Sequence, residues 1–381
     1  MILAAGKGTR VRPLTYELPK PMIPILGKPV MAYLIEHLAS HGVKEIMVNV
    51  SYLQEKIQHY FGDGRLLGVD IGYSFEGDII NGVIVPSPVG SAGGMRKIQD
   101  FSNFFDETTI VICGDALIDL DITKALAEHR QKGALVSLVT MQVPMDKVSG
   151  YGIVLTDDSG RLVSFQEKPS QADALSNLAS TGIYIFEPEA LNLIPSGSEF
   201  DIGSDLFPLL VEKNLPFYAI NHNFNWIDIG NVSDYWEVMQ QVMLGEVPAM
   251  RMPGKQVKPG IWVGLNVHID WTNTQIQGPV YIGSGSHIEK GSKIVGPTWI
   301  SNGCHLQRGA NVVRSVLFEY TRVGQDITFN EMIVCGEYCV DKYGRMMHVD
   351  DEVCDLIWVD AREKVIYPSN FNTTDFNMTT S

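Results

Sequence analysis

Eight apolar residues recur at six-residue intervals near the C-terminal end of the chain: Ile276, Ile282, Ile288, Ile294, Ile300, Leu306, Val312 and Phe318. Neither a 3.6-residue helix nor a period-two strand produces that spacing, whereas short strands that turn one apolar side chain inward per hexapeptide do. Gly285, Gly291, Gly303 and Gly309 fall at the turns. One repeat cannot close a core, so successive coils must stack as a parallel β-helix. The array reads as two to three coils, with Trp262, Trp271 and Trp299 near its surface, where a second copy of the chain would cover them.

The grammar upstream is different. Short β-branched runs at Glu45 to Val50, Thr109 to Cys113, Ala134 to Gln142 and Thr181 to Phe186 alternate with amphipathic stretches at Val30 to Ser40, Ile122 to Lys132 and Val232 to Leu244. That alternation predicts an α/β domain with helices on both faces of a mainly parallel sheet. The expected division is residues 1–248 for the α/β domain, 249–367 for the β-helix and 368–381 for a loosely held polar tail. Only Ile2 and Leu3 precede the first glycine loop, an abbreviated strand consistent with a start further upstream.

Composition excludes several classes. Forty-four acidic against 29 basic residues leave a net charge of −15, which argues against nucleic acid or anionic lipid as a partner. No apolar run approaches the roughly 20 residues needed to cross a bilayer, and no leader pattern follows Met1. Five cysteines, an odd number, fit reduced thiols rather than a disulfide framework, so a cytoplasmic protein is expected. Cys335, Cys339, His348 and Cys354 cluster in sequence, but the Cys335 to Cys339 spacing is not the close pair of a zinc site, and buried core thiols are the better reading.

The opening reads Leu3-Ala4-Ala5-Gly6-Lys7-Gly8-Thr9-Arg10-Val11-Arg12-Pro13, then Pro19-Lys20-Pro21. A glycine loop after a strand can turn backbone N–H groups inward around an anion, since Gly6 and Gly8 tolerate positive φ and leave room for a phosphate. Lys7, Arg10, Arg12, Lys20 and Lys28 oppose Glu17 alone in this stretch, a reversal of the overall charge expected where a polyphosphate is held. A Walker loop and a dinucleotide-binding fingerprint both require spacings that are absent. Asp115 follows the apolar strand Thr109 to Cys113, at the strand end where open α/β sheets bind ligands. An aspartate there is also a common helix N-cap.

Taken in order, these landmarks resemble the sugar-1-phosphate nucleotidylyltransferases. Leu3 to Pro21 is similar to the family's opening motif, Gly90-Ser91-Ala92-Gly93-Gly94 to its nucleobase loop, and Cys113-Gly114-Asp115 to its metal-binding strand end. Phe165-Gln166-Glu167-Lys168-Pro169 is similar to its sugar-phosphate motif, and Trp226-Ile227-Asp228-Ile229-Gly230 to the segment carrying a second metal aspartate. The resemblance runs from residue 1 to about 245, and the family's longer members append a left-handed parallel β-helix used mostly for oligomerisation. It implies a Rossmann-like mixed-sheet nucleotidyltransferase domain followed by that β-helix, and a homo-oligomer formed through it.

The resemblance also implies roles. Leu3, Ala4, Ala5, Gly6, Lys7, Gly8, Thr9, Gly90, Ser91, Ala92 and Gly114 would hold the nucleotide, with Arg10 and Lys20 catalytic. Gly152, Glu167, Lys168, Ser180, Thr181, Gly182 and Trp226 would hold the sugar phosphate, and Asp115 and Asp228 would carry Mg²⁺. Many members have Asn-Ala-Gly where this chain has Ser180-Thr181-Gly182, which leaves a side-chain sugar contact there in doubt. The implied reaction is attack by the phosphate oxygen of a sugar 1-phosphate on the α-phosphorus of a nucleoside triphosphate, with pyrophosphate leaving. The stretch after Lys20 and the short array look most like the cyanobacterial uridylyl branch, which favours UTP and glucose 1-phosphate. The Gly90 loop resembles the guanylyl and thymidylyl branches, so GTP and mannose 1-phosphate is the alternative. The segment Gly77 to Ser87 has no clear counterpart. Two further readings stay open: a catalytically silent regulatory subunit, and acyl transfer on the β-helix through His268, His287 and His305.

Overall fold

The computed structural model describes residues 1–80, 83–87, 89–247, 250–347 and 357–363. The chain divides into two compact units. The first comprises Met1–Gly8, Glu17–Ile23 and Pro29–Asp228; the second comprises Thr9–Tyr16, Pro24–Lys28 and Ile229–Ser381.

The first unit is built on a nine-stranded mixed sheet. Ile2–Ala4 lies between Glu45–Val50 and Thr109–Cys113 and pairs in parallel with both, so a strand of three residues is secured on each edge. Asp70–Phe75 extends the parallel part, while Leu178–Phe186 runs antiparallel to Thr109–Cys113. Successive side chains alternate between two cores. Ile2, Val48 and Ile112 enter one, and Met1, Met47 and Val111 face the other. Both faces are covered, which is why these strands read as continuous apolar runs instead of alternating ones. The helices Val30–Ser40 and Ile122–Gln131 and the strands Glu45–Val50 and Thr109–Cys113 fall where the sequence pattern put them to within a residue. Leu178–Phe186 starts three residues earlier than expected. Gly77–Ile80 and Val83–Pro86, within the segment that lacked a counterpart, pair as an antiparallel hairpin.

In the second unit three parallel ladders form the faces of a β-helix. One ladder stacks His268–Ile269, His287–Ile288, His305–Leu306 and Thr321–Val323; another stacks Gln275–Gln277, Lys293–Val295, Asn311–Val313 and Thr328–Asn330. Four coils are therefore present, more than the two to three expected. Ile282, Ile288, Ile294, Ile300, Leu306 and Val312 are all buried in one core, as the hexapeptide rhythm requires. The eighth position departs from it. Ile300 pairs with Leu317, which is fully buried, and Phe318 is displaced to a partly exposed position. The corner occupied by Gly296 and Pro297 on the preceding coil shrinks to Arg314 alone, at φ +45°, and the inward register moves by one residue. The edges are closed by antiparallel strands: Lys255–Lys258 on the first coil, Tyr338–Asp341 and Trp358–Asp360 on the last. Such closure removes the exposed pairing edge a bare solenoid would present.

Trp299, expected near the surface, is buried. Its ring stacks on Tyr281 at 4.1 Å, its Nε1 donates to Ser301 Oγ at 2.9 Å, and it packs within van der Waals reach of Gly27. Trp271 is exposed, with the Lys258 ammonium 4.2 Å from its ring centre. Cys335 and Cys339 are buried in the hairpin Met332–Cys335/Tyr338–Asp341, as core thiols should be. His348, Cys354 and the 368–381 tail lie outside the described residues.

Candidate active site

A cavity of about 590 Å³ opens in the first unit at the carboxyl ends of the parallel strands. That is the position where open α/β sheets bind ligands. Leu3, Ala4, Ala5, Gly6, Lys7 and Gly8 form one wall, Gly90 and Ser91 another, and Lys20, Cys113 and Asp115 the floor. Gly8 takes φ +60°, whereas Gly6 does not need positive φ; it contributes open space, since a Cβ there would meet nothing within 4 Å.

Asp115 and Asp228 are far apart in sequence and adjacent in space for a definite reason. Ala116–Ile118 pairs antiparallel with Trp226–Asp228, and the register sets Asp228 opposite Ala116, next to Asp115. Both carboxylates converge on one ammonium: Lys20 Nζ makes a short ion pair with Asp115 Oδ2 and lies 3.7 Å from Asp228 Oδ1. Burial alone would lower the Lys20 pKa, but the two carboxylates outweigh it and hold the group above its ordinary value. Two carboxylate oxygens that share one cation are the hard donor set that suits Mg²⁺, so the residues present fit that ion. Neither aspartate caps a helix, which removes the N-cap reading. Gly114 N donates to Leu3 O at 3.0 Å, and a Cβ there would press on Ile2 and Leu3; the residue ties the two strand ends together beneath the cavity.

The nucleotide wall holds residues the sequence did not single out. Asn49 accepts from Ala4 N at 2.8 Å and donates to Glu76 Oε1 at 2.5 Å, fixing the glycine loop to the next two strands. Burial pushes the Glu76 carboxyl up despite that bond and the nearby Lys97. Ser91 Oγ donates to Asp201 Oδ2 at 2.7 Å and accepts from Ile202 N at 2.8 Å, joining the Gly90 loop to the turn Ile202–Leu206. Asp201 also accepts from Gly203 N and Ser204 N; burial raises its pKa, but these bonds together hold it below the ordinary carboxylate range. The run Asp201-Ile202-Gly203-Ser204 is a capping signal that could have been read. Asn49 and Glu76 carry no local signature. Ala92 is fully buried and does not line the cavity.

On the sugar side, Gly152 pairs with Glu167, whose Oε2 lies 3.4 Å from where a Cβ would stand at Gly152 and 3.1 Å from one at Gly203. Lys168 Nζ bonds Glu167 Oε1 at 2.5 Å, and Lys168 itself adopts φ +44°. Gly182, at φ +72°, lets its backbone pass Cys113; a Cβ would sit 2.8 Å from the sulfur. Burial pushes the Cys113 thiol far above its ordinary value. Thr181 is buried and its hydroxyl donates to Val139 O at 2.8 Å, so its side chain is engaged within the sheet. Ser180 Oγ accepts from Gly182 N at 3.4 Å. Trp226 stacks obliquely on Tyr151 at 5.0 Å, and its buried Nε1 has no partner. Thr9 and Arg10 belong to segments of the second unit, and Arg10 is exposed.

A serine, histidine and glutamate do line up elsewhere. His129 Nδ1 lies 2.8 Å from Ser137 Oγ and its Nε2 lies 2.9 Å from Glu187 Oε1. Ser137 and His129 are completely buried, so no acyl group can reach the hydroxyl and the trio is a packing device.

The glycine loop, the paired strand-end aspartates and the lysine between them stand in one site, and residues 1–244 match the Nucleotidyl transferase family, to which the chain belongs. It is 52% identical to a UTP–glucose-1-phosphate uridylyltransferase from Synechocystis sp., across 97% of this chain and 96% of that one. It is 29% identical to a mannose-1-phosphate guanylyltransferase from Mycobacterium tuberculosis over 77% of each chain. A crystal structure from Bacillus anthracis assigned as a glucose-1-phosphate thymidylyltransferase shares the fold, with a TM-score of 0.53 and 20% identity over 62% of this chain and 92% of that one. These matches bear out the family resemblance and the nucleotidyltransferase activity.

Proposed function

We propose that the protein joins UTP and glucose 1-phosphate to give UDP-glucose and pyrophosphate. The observation that carries the reading is the convergence of Asp115 and Asp228 on Lys20, which with Asp115 lines the glycine-loop cavity. The choice of substrates is supported by the near full-length similarity to the uridylyltransferase. Backbone N–H groups from Leu3 to Gly8 hold the triphosphate. Lys20 offsets charge on the α-phosphate as it builds, and Lys168 aims the attacking sugar phosphate while Glu167 accepts from ring hydroxyls. Asp115 and Asp228 would hold Mg²⁺, which would supply charge neutralisation to the phosphates. No covalent intermediate is required, because positioning and electrostatics suffice for an in-line displacement. The odd number of cysteines, five in a long chain, fits reduced thiols and a cytoplasmic protein. Subunits associate through the β-helix into a closed homo-oligomer, supported by the exposed Leu265 and Trp271. Light scattering that finds single chains at micromolar concentration would remove that part of the reading.

Pyrophosphate release across a grid of triphosphates and sugar 1-phosphates tests the reaction. UTP with glucose 1-phosphate should be fastest. Faster release with GTP and mannose 1-phosphate would reassign the substrates, and no release with any pair would leave the silent regulatory subunit.

A further inference from the structure

The β-helix carries an ordered column of imidazoles. His268, His287 and His305 occupy equivalent positions on successive parallel coils, with ring centres 5.9 Å and 5.2 Å apart. In-register parallel strands hold such positions about 4.8 Å apart, so the column is imposed by backbone pairing. Glu289 lies two residues after His287, across the buried Ile288. It therefore projects to the same outer face and reaches the neighbouring coil, where Oε1 stands 2.7 Å from His305 Nε2. Its Oε2 accepts from Arg308 N at 3.0 Å. The carboxylate is thereby oriented by a main-chain bond outside the cluster, the kind of outer support that positions metal ligands. One donor atom each from His287, Glu289 and His305 lies within 4.8 Å of the others.

We propose that His287, Glu289 and His305 form a binding site for a divalent transition metal, Zn²⁺ being the fitting ion, that clips two successive coils together. Two imidazole nitrogens and one carboxylate oxygen match the ligand preference of zinc, whereas Mg²⁺ and Ca²⁺ demand oxygen-rich shells. The ligands stand on paired rungs of a closed solenoid, so little backbone ordering is needed on binding, and small rotamer adjustments bring the donors to bonding distance. An ion pair between His305 and Glu289 alone would leave His287 without a part in the cluster. The metal recruits it, replacing the His305 to Glu289 contact with bonds from all three side chains. This site is separate from Asp115 and Asp228, which belong to the first unit.

The test uses the full chain, freed of any affinity tag and stripped with chelator, titrated with Zn²⁺ alone by calorimetry and with Co²⁺ as a spectroscopic stand-in. One Zn²⁺ per chain should bind at a site that persists in Asp228→Ala. Its affinity should fall by about 10- to 100-fold or more in His305→Ala and in Glu289→Gln. Co²⁺ on the unaltered chain should give the intense visible absorption of a low-coordinate nitrogen and oxygen site. Zn²⁺ should raise the unfolding temperature of the parent but not of the His287→Ala/His305→Ala double variant. Zn²⁺ binding that is unchanged in the double variant, or only the weak absorption of octahedral Co²⁺ on the parent, overturns the proposal whether or not a variant folds well.

Discussion

Gly90→Ala probes how the nucleotide wall is held. Gly90 sits at φ +74°, and an ideal Cβ there would lie 2.4 Å from Phe200 O and 2.7 Å from its carbonyl carbon. With ψ at 160° this is a backbone region held essentially by glycine alone, and it costs an L-residue about 1–3 kcal/mol. The clash adds to this, because the obstacle is main chain and no rotamer change relieves it. Phe200 N donates to Val89 O at 3.0 Å, and Phe200 O accepts from Gly93 N at 2.8 Å, so separating the two segments strains both bonds. At about 0.5–1.5 kcal/mol each, the expected loss is about 2–6 kcal/mol in all. Gly197→Ala is the control: φ is +70° but a Cβ would meet nothing within 4 Å, so only the backbone cost of about 1–2 kcal/mol applies. Urea unfolding of both variants gives the difference. Moving the loop also disturbs Ser91 and its bond to Asp201, so the KM for UTP should rise severalfold in Gly90→Ala and stay near the parent value in Gly197→Ala. Equal stability of the two variants, with equal KM, would refute the steric argument.

Three more outcomes are expected. Lys20→Ala should lower kcat by more than ~100-fold with a smaller change in KM, since the charge it offsets grows mainly in the transition state; a pure KM effect would make it a ground-state anchor. Asp228→Ala should abolish Mg²⁺-dependent turnover while circular dichroism stays unchanged, and activity near the parent level would dissolve the two-aspartate site. Burial lowers the His129 pKa, and Glu187 only partly opposes this. The unfolded chain therefore takes up a proton near pH 6.5 that the folded chain refuses, and stability declines as pH falls from about 6.5 toward the lower folded value. The urea midpoint should drop between pH 7.5 and about 5.5 by less in His129→Gln than in the parent, and identical slopes would show that this histidine is not responsible.

Much of the molecule is written locally. The hexapeptide rhythm from Ile276 to Val312 specifies which side chains turn inward, because each coil repeats the same short-range geometry. The glycine loop and the apolar run before Asp115 mark a strand end that can receive phosphate, since the required backbone freedom and the strand ending lie within a few residues. What the tertiary structure decided depends on pairing across long sequence distances. Asp228 meets Asp115 only through the register of Trp226–Asp228 on Ala116–Ile118, and Asn49 reaches Ala4 only because Glu45–Val50 pairs with Ile2–Ala4, with Glu76 holding Asn49 from the far side. Ser137, His129 and Glu187 line up like catalytic groups, but Ser137 and His129 are completely buried and closed to any ligand. Leu317 displaces Phe318 from the core because a corner lost one residue, a choice set by how one coil stacks on the next. Periodicity and backbone freedom are local properties of a chain; adjacency, register and solvent access arise only when distant segments pack.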